Sequence, residues 1–275
     1  MSTRPSGTAA GLVLAAVVAA SIVGTHEARA DTERAAQSSA EVAYSGFRGP
    51  VGMAFAPDGS LLVANWSGGT VDRIAPDATR SVVTDELPSP SGLAIDKAGN
   101  IYVALFGANQ VVRIDTTGRR SMFVSGLGTP VGMAFAGDNL VIANRGSGEI
   151  VSVAPDGSKR VLARGLPSPA GVAPAPDGSL YVANYGGGIA RLAPDGKVTE
   201  ITRDFANPAA GIVVNEAGRV FAVDYGSTVI REVLPEGRSV VVAEGIRSPV
   251  GLVLDRDGTL LVGAWGDGSV WRVKL

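Results

Sequence analysis

From residue 49 to the C-terminus the apolar positions fall into short runs, each bounded by turn-forming residues. The first set reads GMAFA (52–56), SLLVAN (60–65), TVDRIA (70–75) and RSVVT (80–84), divided by turn signals such as Pro57-Asp58-Gly59 and Gly68-Gly69. Runs this short and this rich in β-branched and aliphatic residues predict strands. Asp-Gly between two of them predicts a tight hairpin, because both residues tolerate positive φ. After residue 30 no window sustains the period of a helix.

The set of strands then recurs. The glycine that follows each Pro-x pair stands at 52, 92, 132, 171, 211 and 251, the pair before Gly211 being one residue longer, so the intervals are 40, 40, 39, 40 and 40 residues. Four short strands in every such interval predict an all-β chain, a six-bladed β-propeller of four-stranded antiparallel blades, with a solenoid as the competing repeat architecture. The two ends of the pattern favour the ring. The last repeat, PVGLVLDRDGTLLVGAWGDGSVWRVKL (249–275), stops after its third strand, and SAEVAYSGFRGP (39–50) aligns without a gap to RSVVVAEGIRSP (238–249). The N-terminal strand is therefore expected to complete the last blade and to hide its edge. Val42 and Phe47 are expected to pack in that closure.

Composition narrows the function classes. A hydrophobic content of 45% can fill a core, so the 37 glycines and 16 prolines read as punctuation in an ordered fold. The absence of cysteine excludes disulfides, thiol catalysis and cysteine-ligated metals. A formal net charge of −2 offers no basic footprint for nucleic acid. Residues 1–30 carry Arg4, an apolar run from Ala9 to Val23 and the small-x-small pattern Ala28-Arg29-Ala30, which reads as a secretory signal peptide. A membrane anchor is the competing reading, but the run is short and rich in alanine. Residues 31–38 read as a polar linker and 39–275 as the propeller. The mature protein is expected to be a secreted monomer without a membrane anchor, its partner a small molecule or a protein at the channel mouth.

The repeat itself, Pro-x-Gly-[Met/Leu]-Ala followed by Asp-Gly-x-[Leu/Ile]-[Tyr/Leu]-Val-Ala-Asn and an aliphatic-x-Arg-Ile strand, resembles NHL-repeat proteins and the gluconolactonase-like six-bladed propellers. The resemblance covers residues 39–275 and implies a fold rather than one activity, since the scaffold carries binding proteins, lactonases, phosphotriesterases and lyases. It also implies that function sits on the face holding the Pro-x-Gly linkers and the loops after each second strand. Those strands end at Asn65, Leu105, Asn144, Asn184, Asp224 and Ala264.

By the same resemblance, Asn144, Asn184 and Asp224 converge on the channel axis as ligands of calcium or another divalent cation, and hard cations take such oxygen donors. Asp224 would double as the base or nucleophile of a lactonase-type hydrolase. The family's glutamate before Gly-Pro is replaced here by Arg48, whose charge opposes a cation and could pair with Asp224 instead. Read without the resemblance, the same Asn and Asp residues bond the turn backbone after each strand.

The next positions along are Trp66, Phe106, Arg145, Tyr185, Tyr225 and Trp265, so five of the chain's aromatics fill six equivalent places. Either they pack between blades or they wall a ligand site at the channel mouth, to which Arg48 and Asn65 also belong. Arg145 suits a carboxylate or phosphate. Asp255-x-Asp257-Gly258 reads as a hairpin turn, and Gly186-Gly187-Gly188 precedes no helix that would hold a phosphate. The single histidine, His26, lies in the signal segment, which removes a hydrolase triad and the histidine chemistry of the virginiamycin-lyase-like propellers. Two functions stay open: a ligand-binding or interaction module, and a divalent-metal-dependent hydrolase.

Overall fold

The structure, a computed structural model, describes residues 39–275; the signal peptide and linker expected over residues 1–38 lie outside the described residues. The described residues form six four-stranded antiparallel sheets, the six blades of a β-propeller. Blade 1 comprises Pro50–Phe55, Leu61–Asn65, Thr70–Ile74 and Arg80–Thr84, running from the channel outward. Blades 2 to 5 repeat this order. Six apolar clusters fill the spaces between blades, such as Leu62, Ala64, Leu93 and Val103 between blades 1 and 2. The core therefore lies in six wedges rather than in one centre, which is why the strands alternate so little: the second strand of blade 1 is buried at every residue.

Each inner strand opens with proline and slips register directly after it. In blade 1 Pro50 faces Asn65 and the next paired residue is Met53, opposite Val63. A bulge of this kind re-aims the residues it leaves unpaired, here Val51 and Gly52. The glycine is demanded by close approach: a Cβ on Gly52 would lie 2.2 Å from the Ser91 carbonyl oxygen, and one on Gly92 2.1 Å from that of Val131. The 40-residue glycine period thus marks where neighbouring inner strands touch.

The ring closes as the sequence indicates. Ala40–Tyr44 pairs antiparallel with Ser269–Val273 and forms the outer strand of blade 6 beside Pro249–Leu254 and Leu260–Ala264. Phe47 is buried at this seam, but Val42 is 51% exposed, because alternate side chains of an outer strand face solvent. Arg80 of blade 1 locks the segment that follows the closing strand. Its Nη1 donates to the carbonyls of Ser45 (3.1 Å) and Gly46 (3.2 Å), its guanidinium lies 4.0 Å over the Phe47 ring, and its Nε donates to buried Asp72 at 2.8 Å.

The opposite face carries the hairpins. Asp58, Asp77 and Asp156 each accept the backbone N–H two residues on, at 3.0, 2.9 and 2.9 Å, and that bond is the main reason their carboxyls are held below the usual range. Asp115 is lowered to about 2, chiefly by the Thr117 hydroxyl. Asp257 belongs to the same set, accepting the N–H of Thr259, while Asp255 accepts that of the adjacent Arg256. These aspartates are thus turn-formers.

Candidate functional site

The channel mouth is built by two positions from each contributing blade: the bulged residue after the linker proline and the residue that follows the second strand. The bulged residues Val51, Val131, Ala170, Ala210 and Val250 form an apolar floor, with Ala209 from the longer linker of blade 5. Trp66, Arg145, Tyr185, Tyr225 and Trp265 form the wall, and together they enclose about 320 Å³. All five wall residues are half-buried. They pack on one another and also face the cavity. Trp66 lies 5.9 Å from Trp265 edge-on, Tyr185 lies 6.3 Å from Tyr225, and the Arg145 guanidinium sits 4.3 Å over the Tyr185 ring.

Blade 2 contributes nothing to this cavity. Phe106 turns onto Trp66, with ring centroids 4.7 Å apart, and supports the wall from behind. The bulged position of blade 2 is Ser91, whose hydroxyl is buried and donates toward the carbonyls of Pro130 (2.9 Å) and Ala104 (3.2 Å).

The residues that end the second strands behave differently. The Asn65 Oδ1 accepts the N–H of Arg48 at 3.3 Å, and Asn144 Oδ1 accepts that of Gly128 at 2.7 Å. Asp224 accepts two, from Ala206 (3.0 Å) and Asn207 (2.8 Å). In each case the donor is in the blade's own linker and includes the residue two before its proline. These side chains thus tie linker to loop, the bonding to local backbone that these residue types favour. Blade 4 breaks the rule: the corresponding residue is Pro167, which has no N–H, and the Asn184 Oδ1 is buried without a partner.

That geometry bears on the cation implied by the resemblance. Asn144, Asn184 and Asp224 occupy equivalent places in successive blades, but none lines the mouth cavity, and the oxygens of Asn144 and Asp224 already accept backbone hydrogens. Only Asn184 offers a free buried acceptor. Arg48, at the fourth expected position, is exposed and makes no ion pair among the described residues, so the pairing with Asp224 does not form. The cation near Asp224 is Arg231, with Nε at 3.9 Å. Among the described residues no three His, Cys, Asp or Glu side chains are grouped to hold a metal. As they stand, the donors do not fit a resident divalent ion. Asp224, 1% exposed and absent from the cavity lining, is also shielded from a reacting atom at the mouth.

The floor residues escape a reading based on chemistry-bearing side chains, yet their signal is periodic: each stands immediately before the repeat glycine. The partnerless Asn184 is also legible, as an asparagine matched with a proline.

No protein-family model matches the chain, and no curated protein matches it. Among solved structures, a gluconolactonase from Xanthomonas campestris superposes with a TM-score of 0.79 at 19% identity, over 88% of this chain and 91% of its own. A putative gluconolactonase gives 0.75 at 17% identity, covering 87% and 92%. A streptogramin B lyase gives 0.70 at 14% identity, covering 86% and 98%. At such identities the likeness is one of fold, which then hosts both a lactonase and a lyase. With its rings of glycine and proline at the channel and its seam closed by the N-terminal strand, the chain has the fold of the gluconolactonase-like six-bladed β-propellers.

Proposed function

We propose that this protein is an exported ligand-binding propeller that takes a small apolar molecule at its channel mouth. One observation carries this reading: five blades converge to enclose an aromatic-walled, apolar-floored cavity that contains no carboxylate, imidazole, serine or thiol. A hydrolytic site needs a base or nucleophile within hydrogen-bond reach of the reacting atom, and phenols alone fill that role poorly near neutral pH. The cavity volume lies at the lower end of the range for small-molecule sites.

The test is saturable binding of N-phenyl-1-naphthylamine, a neutral apolar dye that fluoresces when shielded from water. Trp265→Ala should abolish the signal, and Met122→Ala, on the exposed outer strand of blade 2, should leave it intact. Dye binding that survives removal of the wall would overturn the reading.

The hydrolase reading is supported by the fold likeness and by the free Oδ1 of Asn184. A resident ion at a hundred times its dissociation constant adds about 2.7 kcal/mol to stability. For a ring of this size that is a Tm shift of roughly 5–10 °C. We expect neither EDTA nor added calcium to move Tm; a shift of that size, lost in Asp224→Ala, would restore the metal site.

A further inference from the structure

We infer that the mouth pocket selects an organic monoanion, a flat apolar carboxylate whose charged end lies at Arg145. This rests on reading the mouth as a binding site, and it follows from which polar groups the side chains of the wall carry. They are one guanidinium, two phenols and two indole N–H groups. Guanidinium and indole only donate, and the phenol is the sole acceptor type among these side chains. A sugar or other polyol brings many hydroxyl protons that need acceptors, and carboxylates and amides, which usually provide them, are absent from the wall. A carboxylate brings acceptors alone and matches the wall.

Arg145 is placed for that role. Its guanidinium rests on the Tyr185 ring and, among the described residues, has no carboxylate partner. The aromatic seat orients the cation without neutralising it, so its fork of donors stays available for a planar, bidentate anion. Two further arginines stand near the mouth, Arg48 against Gly68 in the loop after Trp66, and Arg247 against Gly266 in the loop after Trp265. Both are exposed and unpaired among the described residues. The carboxylates in the neighbouring loops are engaged, Asp267 by the N–H and hydroxyl of Ser269 and Glu149 by Arg164. Arg145 in the wall and two arginines beside it thus gather cationic groups at the mouth of a chain whose formal charge is −2.

Size and wall shape limit the rest of the ligand. The volume holds about ten waters at ~30 Å³ each, room for a two-ring body. Trp66 and Trp265 offer it aromatic faces and edges, and the Val and Ala floor accepts its apolar end.

The experiment compares 2-naphthoate with 2-naphthamide, nearly identical in shape and different in charge, as competitors of N-phenyl-1-naphthylamine. Naphthoate should bind about 10–100-fold more tightly, the weight of charge-assisted hydrogen bonds. Arg145→Met should bring naphthoate to the level of the amide, and Arg145→Lys should restore part of the difference. Equal affinities in the parent protein, or a preference that survives Arg145→Met, would overturn the anion inference while leaving the mouth as a binding site. Dye binding that ignores Trp265→Ala would instead remove the mouth reading itself. Should Arg145→Met fail to fold by circular dichroism, salt decides with the parent protein: naphthoate must weaken with ionic strength and naphthamide must not. A salt-independent naphthoate affinity sinks the proposal.

Discussion

In blade 3 the Asn144 side chain accepts the N–H of Gly128, whereas in blade 4 the same residue type, Asn184, meets Pro167 and keeps a buried oxygen without a partner. The two asparagines share repeat position, strand and burial. What separates them is the facing linker residue, Gly128 in one blade and Pro167 in the other, not the asparagine. Blade 2 shows the consistent alternative, in which Pro88 is matched by apolar Leu105. A repeat position thus has no fixed role; its role is set by the donor that the facing loop supplies.

The strongest way to break this comparison is Asp224→Ala, which removes the most heavily used member of the set. The N–H groups of Ala206 and Asn207 lose a charged acceptor, and hydrogen bonds to charged groups are worth about 1.5–3 kcal/mol each. A loss of roughly 2–5 kcal/mol is expected in urea unfolding, and a loss within error would show that water replaces the bonds at no cost. Asn144→Leu orphans one donor and should destabilise by about 1–3 kcal/mol.

The sharpest test is the reversal of sign in the neighbouring blade. Asn184→Leu copies the blade 2 pairing, removes an unsatisfied acceptor and should stabilise by about 1 kcal/mol. If it destabilises instead, or abolishes ligand binding, Asn184 has a partner outside the protein chain. The smallest effect lies on the hairpin face. The depressed carboxyl of Asp115 contributes stability that is complete above its ordinary value near 3.8 and is lost as pH falls through about 2. Stability followed from pH 5 to 2 should fall less in Asp115→Asn than in the parent.

The blade count, the strand count and the closing strand are legible in the sequence because each rests on local chemistry repeated in phase: glycine at a forbidden Cβ, Asp-Gly at a hairpin, an orphan strand at one end. The aromatic ring was legible as a position but not as a choice between packing and ligand, since half-buried rings that touch one another also face the cavity. Asn144 and Asp224 were not legible as linker clamps through their own identity. An amide or carboxylate at a strand end reads alike whether it turns to an ion or to a backbone N–H, and only the paired linker residue distinguishes them. Val42 misleads for a simpler reason: in an outer strand an apolar side chain can face solvent at little cost to the fold.

The closing strand also sets a clock. Glu41 meets Arg272 across 231 residues of chain, so the last blade stays open until the final strand has left the ribosome. At ~5–20 residues per second the waiting time is roughly 10–50 s, during which Ala40–Tyr44 has no native neighbour. Contacts this distant in sequence form slowly, and closure is expected to limit the rate of folding. The blade that is complete in the finished protein is, during synthesis, a sheet whose outer strand waits for its neighbour.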